Sequence, residues 1–155
     1  MDVKKCIKES FCVIGKQGST LDGNGFIEKL WEDANNHFNE VAPLAKLDEN
    51  GNPVGFWGAM SDLSKSFNPW ENGFTKGLYL AGVEAHDDAL PPESWTKWVI
   101  PSYEYLYVKV ESQDTFSAML TYIEENEYQL AGAVHDFISP QENGQRYMFF
   151  PIHRL

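Results

Sequence analysis

The sequence runs through one order of elements twice, and that doubling limits what the chain can fold into. Residues 3–19 read as an extended strand whose apolar part is Phe11-Cys12-Val13-Ile14-Gly15. Leu21-Asp22-Gly23-Asn24-Gly25 then carries the residues of a turn and a helix start. Ile27, Leu30, Trp31, Ala34, Phe38 and Val41 fall on one face of a helix. A turn at 48–53 is followed by two strands, at 54–62 and 77–86. Beyond a Pro-containing link at 87–94 the order returns. A strand is expected over 96–111, with Tyr103, Tyr105 and Tyr107 on one face and Leu106, Val108 and Val110 on the other. Phe116, Met119, Leu120 and Ile123 have helical spacing, with Asp114 or Thr115 as N-cap. Strands at 131–139 and 146–153 close the second half, joined through Asn143-Gly144, a strong hairpin signal.

A short string repeats as well. Gly58-Ala59-Met60-Ser61-Asp62 and Gly132-Ala133-Val134-His135-Asp136 both read Gly-Ala-x-x-Asp. On this reading both occupy the same slot, the strand after the helix. The expected fold class is α+β: duplicated β-α-β-β units forming one antiparallel sheet with two helices on one face, related by a pseudo-twofold axis. The expected organisation is a single domain over 1–155, with a first repeat at about 1–87 and a second at about 95–155.

Composition narrows the function. Hydrophobic residues make up 43% of the chain, enough for a core, and of the five Trp, seven Tyr and ten Phe most are expected in that core, with some left to line a pocket. Twelve basic against 23 acidic residues leave a net charge of −11. No basic face for nucleic acid is visible, so direct nucleic-acid binding is not expected, and the charge favours cationic ligands over anionic ones. Cys6 and Cys12 lie too far apart along one strand to form a disulfide, and free thiols suit a reducing compartment. The stretch MDVKKCIKESF has no apolar signal core and no run approaches transmembrane length, so the expected location is the cytoplasm, with no membrane partner.

Asp136 is the strongest site candidate. A carboxylate between His135 and Phe137 in an apolar strand is either a charge or hydrogen-bond anchor, or a strand-end Asp met by solvent or backbone amides. Asp62, at the head of the 62–76 loop, suits turn capping. Glu84 either continues the face of Leu78, Leu80 and Gly82 as a second candidate acid or marks where the strand meets solvent. Trp57, Tyr79, Tyr105 and Tyr107 are candidate walls, because Trp and Tyr stack on flat ligands and hold cations against the ring. Trp70 and Phe74 stand in a loop long enough to cover a pocket. His37, His86, His135 and His153 have no HxxxH spacing and the cysteines no CxxC, so no metal site and no cofactor is expected. Asp48-Glu49-Asn50-Gly51-Asn52 begins like a calcium loop, but Pro53 stands where that loop needs Gly and Ala59 where it needs Glu. P-loop, GxGxxG and GxSxG motifs are missing.

The doubled order, together with KLWEDANNHFNEVAP, GLYLAGVE, WVIPSYEYLYVKVE and GAVHDFISPQENGQRYMFFPI, resembles the GyrI-like effector-binding family over nearly the whole chain. That family includes drug-sensing domains of AraC- and MerR-type regulators, a gyrase-inhibitory protein and stand-alone integron-cassette proteins. The resemblance implies an aromatic-lined pocket at the pseudo-twofold axis with an acid, usually Glu, on the penultimate strand. Here that position falls on Asp136, one methylene shorter. The implied function is a stand-alone effector-binding domain whose ligand is a lipophilic small molecule, with aromatic cations the class to test. Two alternatives stay open: hydrolysis of strained cyclopropane-type alkylating toxins, with Asp136 or Glu84 as base, and a protein-interaction role with a protein partner.

Overall fold

A computed structural model describes all 155 residues. The strands are β1 (Lys4–Lys8), β2 (Phe11–Ser19), β3 (Phe56–Ser61), β4 (Leu78–Ala85), β5 (Thr96–Ile100), β6 (Tyr103–Lys109), β7 (His135–Ser139) and β8 (Gln145–Arg154). The helices are α1 (Phe26–Asn36), a short α2 (Glu71–Phe74) and α3 (Thr115–Glu125). All eight strands join one antiparallel sheet in the order β1-β6-β8-β7-β3-β4-β2-β5, so the fold is α+β as expected. Read outward from the central β3–β7 pair, β4 matches β8, β2 matches β6, and β5 matches β1.

The long strands expected at 3–19 and 96–111 are each broken, at residues 9–10 and 101–102. They still run as one antiparallel ribbon in unbroken register, from Lys4↔Tyr107 and Lys8↔Tyr103 to Phe11↔Ile100 and Gly15↔Thr96. At the break Ser10 donates its N–H to the Ser102 hydroxyl (2.8 Å). Each half therefore has a leading strand that pairs with the other half, an exchange that strand patterning cannot reveal because pairing partners are chosen by tertiary contact.

α1 and α3 lie on the same face of the sheet. α1 packs Ala34 near Ile14, Val83, Ala85 and Trp95, and α3 packs Met119 and Ile123 on Leu106, Val108, Phe150 and Ile152. The sheet curls around its opposite face. There Phe11, Val13, Trp57, Leu80, Trp98 and Tyr103 form a third buried cluster. Asp114 precedes α3, but its side chain makes no cap bond; the Thr115 hydroxyl instead accepts the N–H groups of Glu111 and Ser112. Asn143 and Gly144 take the positive φ values of 57° and 81° that turn β7 into β8.

The two Gly-Ala-x-x-Asp strings do not occupy one slot. Only His135 and Asp136 of the second string are in a strand. The breaks equate Ser10 with Ser102, and hence Lys16 with Val108. The ladders Lys16↔Ala81↔Gly58 and Val108↔Met148↔Asp136 then equate Gly58 with Asp136. Because Gly58 and Asp136 also pair directly with each other, they sit on the pseudo-twofold axis itself.

Candidate functional site

Alternation along β7 sends Asp136 to the helix-facing side of the sheet, towards the open ground between α1 and α3. Its side chain is 14% exposed, at the floor of a cleft of about 530 Å³. Ile27, Glu28 and Trp31 of α1 form one wall, and Tyr79, Ile138 and Arg146 come from the sheet. Tyr79 is the register partner of Met60, and Arg146 that of Ile138, so Tyr79 and Arg146 are equivalents flanking the axis. Both turn towards Asp136. The Tyr79 hydroxyl donates to Oδ2 at 3.1 Å, and Arg146 Nη2 lies 4.0 Å from Oδ1. Trp31 Nε1 donates to the Tyr79 oxygen (3.0 Å), which leaves the phenol's own proton for the carboxylate.

Burial pushes the Asp136 carboxyl above its ordinary range, and Arg146 and the Tyr79 hydrogen bond offset part of that rise. Tyr79 is raised well above its usual value by burial and by the Asp136 charge, so it remains a donor. Gly58 is what lets these groups meet. A Cβ there would fall 1.8 Å from the Tyr79 hydroxyl oxygen and 3.1 Å from Asp136 Cβ.

The expected site residues divide between the two faces. Asp136 and Tyr79 share the cleft, and Trp70 lies on the same face, in the wall of a neighbouring pocket. Trp57, Glu84, Tyr105 and Tyr107 belong to the opposite face. Trp57 is 2% exposed among Phe11, Phe137 and Phe149, and its Nε1 donates to Glu84 Oε1 (3.0 Å). Glu84 is also paired with Lys8 (3.2 Å) and Lys46 (3.5 Å). Tyr105 is fully buried with no partner for its hydroxyl, and Tyr107 stacks on Phe149.

Asp62 has the turn role expected of it. It accepts from Ser66 N–H and from the Ser61 and Ser64 hydroxyls. Burial alone would raise its carboxyl, but these donors hold it below the usual range. Trp31 and Arg146 escaped sequence reading, and Gly58 stood there only as part of a repeated string. Trp31 sits in an ordinary helical apolar stripe, Arg146 follows a hairpin turn, and Gly58 is meaningful only once Tyr79 is seen opposite it.

Neither a family model nor a curated protein sequence matches the chain. Solved structures do. SAV2435 bound to tetraphenylphosphonium superposes with a TM-score of 0.67 at 13% identity, over 99% of this chain and 94% of that one. The EcmrR C-terminal domain gives 0.64 at 12%, over 99% and 98%. Integron cassette protein VCH_CASS2, from the mobile metagenome of Vibrio cholerae, gives 0.57 at 15%, over 97% and 95%. The chain has the GyrI-like effector-binding fold. On this GyrI-like frame the axis of the doubled sheet carries a largely buried carboxylate, Asp136, at the floor of an open cleft. No helix is long and apolar enough to cross a membrane.

Proposed function

We propose that this chain is a small-molecule-binding domain whose ligand enters the axial cleft and is lipophilic and cationic. One observation carries the reading. Asp136 is a nearly buried carboxylate at the floor of a concave, largely apolar cleft, with one neutral donor, Tyr79, in contact and its nearest cation 4.0 Å away. A buried charge needs a partner, and Arg146, an exposed side chain at that distance, supplies little. A ligand cation would complete the arrangement, with the Trp31 and Phe56 rings and Ile27 offering apolar contact. The same fold holding tetraphenylphosphonium in SAV2435 supports testing that class first.

The test is thermal unfolding of the full chain with tetraphenylphosphonium and with neutral triphenylphosphine oxide. Ligand binding to the folded state raises the melting temperature by mass action. The cation is expected to raise it more than the neutral compound does, and Asp136→Asn to remove the difference. Equal shifts in both proteins overturn Asp136 as the anchor. Mass spectrometry of the recovered compound separates binding from turnover.

A further inference from the structure

A second compartment adjoins Asp136 on its other side. The pseudo-twofold that equates Gly58 with Asp136 also equates Phe56 with Val134 and Met60 with Ile138. Ile27 and Phe116 are likewise the second residues of two eleven-residue helices. Beside α1 these positions line the open cleft. Beside α3 they line a pocket of about 160 Å³ formed by Met60, Trp70, Phe74, Phe116, Val134 and Met148, all apolar.

The loop between β3 and β4 supplies one side of that pocket through Trp70 and Phe74. Trp70 is fixed by donation from Nε1 to the Leu78 carbonyl (2.9 Å) and lies on Gly77, where a Cβ would stand 2.0 Å from the indole. Phe74 meets Phe116 edge-on, with ring centroids 5.2 Å apart. The pocket lies one ladder step from Asp136. Met148 is the direct ladder partner of Asp136, Val134 precedes Asp136 by two residues on the same face, and Met60 follows Gly58 by two.

Two magnitudes define an occupant. An apolar space of roughly 150 Å³ holds one benzene, so the α3 compartment, at about 160 Å³, has room for one ring. Directly opposed residues stand about 5 Å apart in a ladder, so a ring beside Met148 lies a two- or three-carbon tether from the Asp136 carboxylate. We propose that the ligand is bipartite, an arylalkylamine whose ring fills the α3 compartment and whose ammonium group meets Asp136. This rests on the cleft reading above and adds to it the ring, its compartment and the tether.

The probe is phenethylamine, compared with butylamine, which lacks the ring, and 2-phenylethanol, which lacks the charge. On the full chain, phenethylamine is expected to raise the melting temperature more than the other two together. Asp136→Asn and the pocket-filling Phe116→Trp are each expected to weaken its binding at least tenfold. A second readout needs no variant. With methionine methyls labelled in ¹³C, phenethylamine is expected to move the Met60 and Met148 signals and leave Met119, buried in the α3 core, in place.

Tetraphenylphosphonium separates the two levels. If it stabilises wild type through Asp136 while phenethylamine does no better than butylamine and leaves Met60 and Met148 unmoved, the bipartite ligand is overturned and the cleft reading stands. If neither cation stabilises wild type and Asp136→Asn changes nothing, both fall.

Discussion

Gly58 faces Asp136 across the β3–β7 ladder, and the hydroxyl of Tyr79 occupies the space a Gly58 side chain would need. Gly58→Ala is therefore expected to displace Tyr79 and break its bond to Asp136, at a cost of about 1–3 kcal/mol, the range for overpacking a tight site. Adding Tyr79→Phe removes the clashing oxygen and is expected to recover part of that loss. Denaturant unfolding of the two single variants and the double variant measures the coupling. Strict additivity would show that the glycine is not there for the hydroxyl.

Asp136 ties binding and stability to pH in opposite directions. Its carboxyl is raised in the folded state, chiefly by burial. Cation binding needs the ionised form, so affinity is expected to fall on acidification at a pH above the ordinary Asp range of about 4. Stability runs the other way. The folded state holds this proton more tightly, so the contribution is fully present below the unfolded value and is lost as pH rises through the folded one. Calorimetric titration of tetraphenylphosphonium across pH checks the first, and melts of wild type against Asp136→Asn check the second.

His135 provides an acid-side signature. It is fully enclosed, and burial pushes its imidazole down from 6.5 to about 3. Nδ1 accepts the Met60 N–H at 3.0 Å, which places the ring proton on Nε2. The unfolded chain takes up a proton below pH 6.5 that the folded ring refuses. Stability from this group is thus complete above 6.5 and declines by about 1.4 kcal/mol per pH unit towards 3. His135→Asn keeps an acceptor for Met60 and is expected to flatten that decline; an unchanged slope would assign it to other groups.

Glu84 holds the opposite face together through Trp57, Lys8 and Lys46. Glu84→Gln keeps an acceptor for the indole and removes the charge. Because both lysines retain contact with water, the expected loss is about 1–2 kcal/mol, less than the ~3–5 kcal/mol of a fully buried broken pair. The response to tetraphenylphosphonium is expected to be unchanged. Loss of that response at wild-type stability would move the ligand to the other face.

α3 was legible in the sequence, and α1 as far as Asn36, because an apolar stripe at helical spacing states which side is buried. Phe38 and Val41, expected on the same stripe, lie among the 3-10 turns beyond it. The Asn143-Gly144 turn was legible because only a few residues tolerate its backbone. The site was only half legible. A carboxylate inside an apolar strand marked Asp136, and Tyr79 stood among the aromatics, but Trp31 was indistinguishable from a core tryptophan and Arg146 from a surface arginine. Trp57 and Tyr105 have the residue types of a pocket wall but pack in the interior on the opposite side of the sheet.

Local chemistry therefore determined the doubled order of elements, the α+β class and the identity of the central acid, since propensity, periodicity and turn preference act between near neighbours in the chain. Tertiary structure decided the rest: that the leading strands cross between halves, that Gly58 and not Gly132 is the counterpart of Asp136, and which face each aromatic meets. Those are matters of register between segments far apart in sequence. In a sheet whose two faces are both covered, a strand's own residues do not say which neighbour it will choose or where along that neighbour it will stop.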